Sequence, residues 1–311
     1  MPRLLVITRI WPTRDRPAAG AFVADRVRGL SRPAVVAPRG YDLPWWTVYL
    51  VLLRDALRVR GRFDGVEAHT LIPAGPVALI VATLRRVPLV VYAHGGDVRG
   101  YPERGPVGRW LMRTVATRAA AVVTNSRDTA ARLTAIGRRR DAVVAPPGVD
   151  RSRFRPSARP GERRILYLGG LSERKGYEVA VRFADTLVGP GLREVAHDDV
   201  PVLMAQHDVV LVPSVEEPYG MVAAEAIASG RWVLARAVGG LTEIVEDGVN
   251  GTLVTDGDFA GALERVPDYD PFAVARTAER FDLAAWHARL DAVWSDVLRA
   301  SGSARRRRRI L

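Results

Sequence analysis

Two glutamates near a predicted helix start are the residues best suited to chemistry in this chain of 311 residues. Pro218 disfavours helical backbone at Glu217 and itself suits a first helical position, so a helix is predicted to begin just after Glu217. Glu225 then lies about two turns into that helix. The two carboxylates can accept hydrogen bonds from hydroxyl groups, and the first helical amides can bind a charged or polar group. Those amides belong to Gly220, Met221 and Val222.

The apolar run Val209–Val212 shortly before Glu217 predicts that this glutamate lies on a loop at the end of a strand. Open α/β sheets bind ligands beyond the carboxyl ends of their strands. Taken alone, the same residues also fit an acidic loop followed by a solvated helix face. The surrounding sequence has to decide between these two interpretations.

Short β-branched or leucine-rich runs alternate with helical patterns along the chain, which favours parallel sheets joined by crossover helices. The first half is predicted to form one open α/β sheet. Its predicted strands are Leu4–Thr8, Ala34–Ala37, Gly65–Ala68, Pro88–Tyr92, Ala121–Thr124 and Ala142–Ala145. Its predicted helices lie near residues 21–30, 46–60, 76–85, 107–118 and 126–136.

A stretch rich in Arg, Pro and Ser over residues 146–161 shows neither helical nor strand periodicity. It is predicted to be the domain linker. A second, smaller α/β sheet follows, with helices from about Gly176 and Tyr219. Its predicted strands are Ile165–Leu168, Thr186–Val188, Val209–Val212, Trp232–Ala235 and Gly251–Val254. We therefore predict an N-terminal domain over 1–157, a C-terminal domain over 158–284, an amphipathic helix over 285–302 that braces the domains, and a disordered basic tail over 303–311.

The formal net charge of +12 is unevenly distributed along the chain. Residues 1–155 hold 27 Arg against 11 Asp and Glu, whereas residues 156–311 hold 19 Lys and Arg against 23 Asp and Glu. The basic first half suits an anionic partner such as a lipid headgroup, a phosphorylated acceptor or nucleic acid, although an arginine-rich proteome would produce the same bias. Of the 46 basic residues, one is a lysine, Lys175.

Composition also limits where the protein works. The chain has no cysteine, which excludes disulfides and thiolate metal sites. Its apolar runs are shorter than the roughly 20 residues of a membrane-spanning helix, and the N-terminus lacks a signal-peptide pattern, so a cytoplasmic protein is expected. The aromatic and aliphatic residues of 44–53, Trp45 and Trp46 among them, precede several arginines. Such a helix can lie on the inner face of an anionic membrane, or it can simply pack on the first sheet.

The residues after Glu225 extend the pattern around the two glutamates. They read AIASG, then a strand, then VGGLTE from Val238 and DGVNG from Asp247. This run resembles the signature of retaining GT-B glycosyltransferases of family 4, in which two glutamates are separated by seven residues. The resemblance covers nearly the whole chain. It implies two facing Rossmann-like domains with parallel sheets, the donor held mainly by the second domain and the acceptor by the first.

The resemblance also implies roles for residues of the second domain. The segment LGGLSERKG from Leu168 looks like the family's strand, loop and basic pair, which would place Arg174 and Lys175 on the diphosphate of a nucleotide-sugar donor. Glu217 and the helix amides would bind the donor sugar, and Glu225 the ribose. Two cations beside a helix start suit a leaving group that gains charge. The family pattern further implies that neither a metal ion nor another cofactor is needed for that task.

In the first domain, the segment YAHGGD from Tyr92 resembles the family's loop beside the donor sugar. The resemblance implies that His94 acts with Glu217 as a catalytic residue and that Asp97 contacts the sugar. A single histidine after a strand is commonly structural, and the glycine-rich loop favours the functional interpretation here. Gly20 would bring the first-strand loop close to the donor phosphates, although many relatives carry two glycines where this chain has Ala19 and Gly20.

The segment between Gly176 and Asp208 departs from the family pattern, because about one strand and helix are shortened or lost. Relatives form part of the nucleobase pocket there, so the base of the donor is not predicted. The implied function is retaining transfer of a hexose-type sugar from a nucleotide diphosphate sugar to a hydroxyl acceptor on a glycolipid, a polysaccharide or a small metabolite. The alternatives are a GT-B nucleotide-sugar epimerase and a non-catalytic nucleotide-sugar-binding subunit. Specific nucleic-acid binding is disfavoured, since no nucleic-acid-binding module is recognised.

Overall fold

The computed structural model describes residues 2–13, 19–38, 44–100, 103–137 and 141–310, without the side chains of Trp45 and of residues 304–310. The chain forms two compact units. The first unit comprises Met1–Ala145 together with His287–Leu311, and the second comprises Pro146–Trp286. The linker that we predicted over residues 146–161 therefore lies within the second unit.

The first unit is built on a sheet of six parallel strands. The strands are β1 Leu4–Thr8, β2 Ala34–Val36, β3 Gly65–His69, β4 Leu89–Ala93, β5 Ala121–Thr124 and β6 Val143–Val144. They are arranged in the order β2-β1-β3-β4-β5-β6. The chain runs outward from β1 to β2 and then in the opposite direction from β3, so the strand order reverses between β1 and β3. Open α/β sheets bind ligands at the carboxyl ends of their strands at such a reversal.

Helices cover the faces of the first sheet. They are α1 Ala21–Arg28, α2 Trp45–Arg58, α3 Ala74–Arg85, α4 Gly96–Arg99, α5 Pro106–Arg118 and α6 Arg127–Ala135. Strands β1, β3 and β4 are buried along their whole length. Burial of both faces is the reason these strands read as continuous runs instead of alternating apolar and polar residues.

The second unit contains a smaller sheet of five parallel strands. The strands are β7 Ile165–Leu168, β8 Thr186–Val188, β9 Val209–Val212, β10 Trp232–Arg236 and β11 Gly251–Val254, in the order β11-β10-β9-β7-β8. The helices are α7 Tyr177–Phe183, α8 Val200–Ala205, α9 Met221–Ala228, α10 Leu241–Ile244, α11 Phe259–Glu264 and α12 Pro271–Arg276. Here the strand order reverses direction between β7 and β9, which is where open α/β sheets generally bind their ligands.

The predicted class of two parallel α/β sheets with a smaller second sheet is confirmed. The strand predicted over Ala142–Ala145 is shorter, because its neighbour β5 ends at Thr124. The final helix, α13, runs from Leu283 to Ile310 and so includes the basic residues that we expected to be disordered. Arginine is a good helix former and no proline interrupts this segment, which accounts for the longer helix.

From His287 onward, α13 belongs to the first unit and packs on its sheet. Trp294 is fully buried, and a Cβ on Gly65 at the start of β3 would collide with its ring. Gly65 therefore makes room for the indole, whose Nε1 donates a hydrogen bond of 2.8 Å to Oε2 of Glu67. Across the described residues, no helix combines the length and the apolar character that a bilayer crossing requires.

Glu67 is a charged residue in the middle of the buried strand β3, with none of its surface exposed. Arg26 of α1 donates to both of its carboxylate oxygens, at 3.2 Å each, and Arg26 is itself fully buried. Burial alone would raise the pKa of Glu67, but Arg26 and His69 outweigh that effect and lower it to about 2. The carboxylate therefore stays ionised and fully hydrogen-bonded inside the first unit.

We expect Glu67→Gln to lower the free energy of unfolding by about 3 kcal/mol, because it leaves a buried guanidinium without its main counter-charge. The loss lies at the lower end of the usual range since Asp291 stays 3.4 Å from Arg26. Urea unfolding followed by fluorescence measures the change. The matched control is Glu264→Gln on the exposed surface of the second unit, which should leave stability unchanged. Equal effects of the two substitutions would contradict the structural role of Glu67.

Candidate active site

In the second unit, the loops after β7 and β9 bring the predicted site residues together. Arg174 and Lys175 lie on a 3-10 turn, Glu173–Lys175, after β7. Glu217 lies on the loop after β9, the strand that pairs with β7. The carboxyl ends of adjacent parallel strands meet at one edge of the sheet, so residues 42 positions apart in sequence become neighbours.

Lys175 and Glu217 form a short ion pair with Nζ 2.5 Å from Oε2. Ser214 donates a further hydrogen bond of 3.2 Å to the same oxygen. Glu217 is 6% exposed and the Lys175 side chain 29%, so the pair is held in place but reaches the surface of the second unit. Arg174 is exposed, and its carbonyl oxygen accepts from the Val215 amide at 3.0 Å.

Gly176 allows these two loops to approach each other. Its φ of 74° lies in the left-handed region, and a Cβ there would collide with the carbonyl oxygen of Pro213 at the end of β9. Glycine is the residue that tolerates both conditions. The close approach of backbone at Gly176 is what holds Lys175 within reach of Glu217.

The helix that carries Glu225 begins later than predicted. Gly220, with a φ of 112°, is the N-cap, and α9 begins at Met221. The prediction that helix starts just after Glu217 is wrong, because the backbone of Gly220 has a positive φ that a helix cannot contain. Glu225 consequently lies a little over one turn into α9. The amides of Gly220, Met221 and Val222 still stand at the helix start, where helical geometry provides no acceptor.

Glu225 is buried and is held by a residue that the sequence analysis missed. Its Oε1 lies 2.9 Å from Nε2 of His197, on a 3-10 turn within the shortened segment. Arg153 donates to Nδ1 of the same histidine at 3.3 Å and to Asp198 at 2.7 Å. Because Nδ1 accepts from a guanidinium, the histidine proton is on Nε2 and is donated to Glu225. One feature of the sequence could have indicated this role. His197 lies in the segment that departs from the family pattern, and no role was assigned to it.

In the first unit, His94 and Asp97 lie on the loop that follows β4. Asp97 is buried, with Oδ2 2.6 Å from the amide of Leu71 and Oδ1 3.1 Å from that of Gly95. Burial raises the pKa of Asp97, although these amides act in the opposite direction. Asp97 thus links the loops after β3 and β4 by hydrogen bonds, and its contact with a sugar stays a prediction.

His94 stands at the end of a chain of buried polar groups that leads back to Glu67. Its Nε2 lies 3.1 Å from Nδ1 of His69, whose Nε2 is 3.1 Å from Oε1 of Glu67. Burial lowers the pKa of His94 well below its ordinary value, and His69 lowers it further. Neither His69 nor Glu67 was among the site residues predicted from the sequence. The sequence did contain an indication of their importance, since these two titratable residues stand in the otherwise apolar strand β3.

Gly20, which we predicted to approach the donor phosphates, lies at the start of α1. Gly20 is the N-cap of α1 with a φ of 73°, and a Cβ there would lie 2.6 Å from the carbonyl oxygen of Ile10. Residues 14–18 of the first-strand loop lie outside the described residues, so the contact of Gly20 with phosphate stays a prediction. Within the part of the chain that the structure describes, no group of three or more His, Asp or Glu side chains is placed to hold a metal ion.

Solved structures with the same two-sheet architecture are glycosyltransferases and related GT-B proteins. Anabaena Alr3699/HepE, solved in complex with UDP-glucose, matches with a TM-score of 0.73 at 22% identity, over 95% of this chain and 100% of that one. Sucrose-phosphate synthase from Thermosynechococcus elongatus matches with a TM-score of 0.72 at 19% identity, over 98% of each chain. The fold is therefore GT-B.

Sequence comparison gives the family. Glycosyltransferase Family 4 matches residues 3–153, and Glycosyl transferases group 1 matches residues 186–267. D-inositol 3-phosphate glycosyltransferase of Paenarthrobacter aurescens is 30% identical, covering 89% of this chain and 81% of that protein. The enzyme of the same description from Mycolicibacterium smegmatis is 29% identical, covering 97% and 83%. The chain belongs to glycosyltransferase family 4, and it is a glycosyltransferase that uses a nucleotide-sugar donor.

We expect Gly220→Ala to destabilise the second unit by at least about 2 kcal/mol, through strain at positive φ and through crowding. A Cβ at this position would lie 2.7 Å from Cδ2 of Leu241. The matched control is Gly248→Ala, at a φ of 74° in open space, which should cost about 1 kcal/mol. Thermal unfolding compares the two variants. Equal losses would show that Gly220 is not crowded.

Proposed function

We propose that this enzyme transfers a hexose from a nucleoside diphosphate sugar to a hydroxyl acceptor with retention of anomeric configuration. The observation that carries the proposal is the Lys175–Glu217 ion pair at the switch point of the second sheet, beside the start of α9. A cation and helix amides suit an anionic diphosphate, and a carboxylate suits the hydroxyls of a sugar. One crevice therefore offers partners for both parts of such a donor.

The basic turn after β7 is assigned to the diphosphate. An ammonium group has three donors, so the Lys175 contact with Glu217 leaves two for phosphate oxygens. The exposed Arg174 adds a planar guanidinium that can bind two oxygens at once. These charges would stabilise the diphosphate as it departs, and we propose that the reaction requires no metal ion.

The two glutamates are assigned to hydroxyl groups. Glu217 would bind hydroxyls of the donor sugar, because Lys175 and Ser214 already orient one of its oxygens. Glu225 would bind the ribose, with His197 holding the carboxylate. In the first unit, His94 is assigned to the donor sugar and its developing positive charge. Gly20 would approach the phosphates, and Asp97 would support the sugar loop.

For a retaining reaction we propose attack on the same face as the leaving group. The bond between the anomeric carbon and the diphosphate oxygen breaks, and its electron pair leaves with the diphosphate. The acceptor oxygen forms the new bond to the anomeric carbon, and its proton passes to the departing phosphate oxygen. Lys175 and Ser214 both hold Glu217, which favours a hydrogen-bonding role over proton transfer.

The relatives and the distribution of charge support a proposal for the donor and acceptor classes. Alr3699/HepE was solved with UDP and with UDP-glucose, and we propose a uridine diphosphate hexose as donor. The curated relatives act on an inositol phosphate, and residues 1–155 hold 27 Arg against 11 acidic residues. We therefore propose an acceptor that carries a phosphate group.

Thermal-shift screening of UDP-, GDP-, ADP- and dTDP-glucose tests the donor, because a ligand that binds only the folded protein raises its melting temperature. We expect UDP-glucose to give the largest rise.

Hydrolysis without acceptor, followed by NMR of the released sugar, then tests turnover and the anomeric outcome. A shift without any turnover would support the non-catalytic alternative, and a product of inverted configuration would contradict the proposed mechanism.

We expect Lys175→Met to lower kcat for donor hydrolysis about 10²- to 10³-fold, because the leaving diphosphate loses a preorganised cation. The assay is run with EDTA, since the proposal excludes a metal requirement. Arg182→Met is the matched control, an exposed cation in the last turn of α7. That turn is remote from the carboxyl ends of the strands, where Lys175 lies, because a crossover helix runs antiparallel to the strands. An unchanged rate in Lys175→Met would remove the assignment.

The outer surfaces of three helices in the first unit suggest where an acceptor on a membrane would be met. Helix α3 packs against both α2 and α5. Large apolar side chains stay exposed on all three helices, namely Trp46, Leu50 and Leu57 on α2, Ile80 and Leu84 on α3, and Val107 and Trp110 on α5. Apolar side chains among arginines suit an anionic bilayer surface, and we propose peripheral contact there. The predicted contribution of the Trp45 side chain lies outside the described residues.

We expect the double substitution Trp46→Ala and Trp110→Ala to weaken binding to vesicles of phosphatidylglycerol and phosphatidylcholine about tenfold or more, because two partly exposed indoles no longer enter the bilayer. Co-sedimentation measures the partitioning. Phe272→Ala, at an exposed aromatic residue of the second unit, is the control and should bind like the wild type. Equal binding by the double variant would contradict membrane contact through these helices.

A further inference from the structure

The chain of buried groups from Glu67 to His94 determines which nitrogen of His94 carries its proton. The Glu67 carboxylate is an acceptor only, and it already binds Arg26 and the Trp294 indole. His69 therefore meets it as a donor, through the proton on Nε2 at 3.1 Å. With that proton on Nε2, the Nδ1 of a neutral His69 is an acceptor.

The contact between the two histidines has the geometry of a direct hydrogen bond. Nδ1 of His69 and Nε2 of His94 are 3.1 Å apart, the ring planes differ by 4°, and the ring centroids are 5.3 Å apart. The two nitrogens thus face each other nearly in the plane of both rings. Since Nδ1 of His69 accepts, Nε2 of His94 donates.

The rest of the surroundings holds both rings in place. His69 is fully buried and stacks on Tyr92, with 4.7 Å between the ring centroids. Asn125 donates to the carbonyl oxygen of His94 at 2.8 Å, and the ring of Phe22 lies 4.7 Å from that of His94. Of Glu67, His69 and His94, the last is partly exposed. Its Nε2 faces His69, so its other ring nitrogen, Nδ1, is available to a ligand.

We propose that His69 is a positioning residue that keeps the proton of His94 on Nε2, so that Nδ1 of His94 accepts a hydrogen bond from a hydroxyl of the donor sugar. Glu67 acts one step further back by holding His69. The assignment of the hydroxyl rests on the proposed function. The location of the proton rests on the hydrogen-bond chain within the first unit and is measured independently.

Two amide substitutions at His69 separate its two contacts. The amide of Asn has nearly the position of Nδ1, so His69→Asn keeps an acceptor for His94 and loses the contact with Glu67. The amide of Gln reaches the position of Nε2, so His69→Gln keeps a donor for Glu67 and loses the acceptor for His94. A role in packing alone predicts equal effects of the two variants on activity.

The location of the proton is read from NMR spectra of the full chain with ¹⁵N-labelled histidine imidazoles at pH 7.5. The chain has five histidines, and the signal of His94 is the one lost in His94→Asn. We expect a proton on Nε2 of His94 in the wild type and in His69→Asn, and loss of that preference in His69→Gln. A wild-type proton on Nδ1, or a His69→Gln spectrum that keeps the wild-type pattern for His94, would overturn the proposal.

Donor hydrolysis supplies the second readout. We expect kcat to fall at least about tenfold in His69→Gln and clearly less in His69→Asn, as for other residues that orient a functional histidine. Equal losses in both variants would overturn the positioning role. Absence of hydrolysis by the wild type would instead contradict the proposed function, and the NMR measurement would still decide where the proton of His94 lies.

Discussion

The order of the parallel strands sets where each unit can place polar side chains. A parallel sheet buries both of its faces, so polar side chains are tolerated mainly where its strands end. In both units the strand order reverses direction at one point, and open α/β sheets bind ligands at the carboxyl ends of the strands there. Lys175 and Glu217 meet at this position in the second sheet, and His69 ends the strand at this position in the first. Topology therefore brings the candidate site residues of each unit to the carboxyl edge of its sheet.

Glu67 is a charged residue buried within β3, and its surroundings show why this position tolerates a charge. A buried carboxylate without partners would be strongly disfavoured, but Arg26, His69 and Trp294 supply all of its hydrogen bonds. The last of these partners comes from the far end of the chain. One ionised group thus joins α1, β3 and α13 within the first unit, and the series of hydrogen bonds that starts at Glu67 ends at the partly exposed His94. The same carboxylate thus links elements that are far apart in sequence and holds His69, the hydrogen-bond partner of His94.

Much of the fold could be predicted from the sequence, because buried parallel strands leave a strong record. Runs such as Leu4–Thr8 and Val209–Val212 are apolar without alternation and are bounded by turn residues, and both are strands at the predicted positions. The start of α9 was harder to predict. Pro218 suits a helix start, but the positive φ of Gly220 moves the start to Met221, and a backbone angle of that kind leaves no periodic signal.

The two α/β sheets, the family and the candidate site residues could all be predicted from the sequence, since each of these depends on local patterns and short motifs. Which of those residues touch one another depends on how the chain folds. Lys175 bonds Glu217 across 42 positions, His197 bonds Glu225 across 28, and Trp294 bonds Glu67 across 227. The physical reason is that hydrogen bonds and burial act over a few ångströms in space, whereas a sequence pattern reports on neighbours along the chain. His69 and His197 had no motif, and packing alone gave them partners.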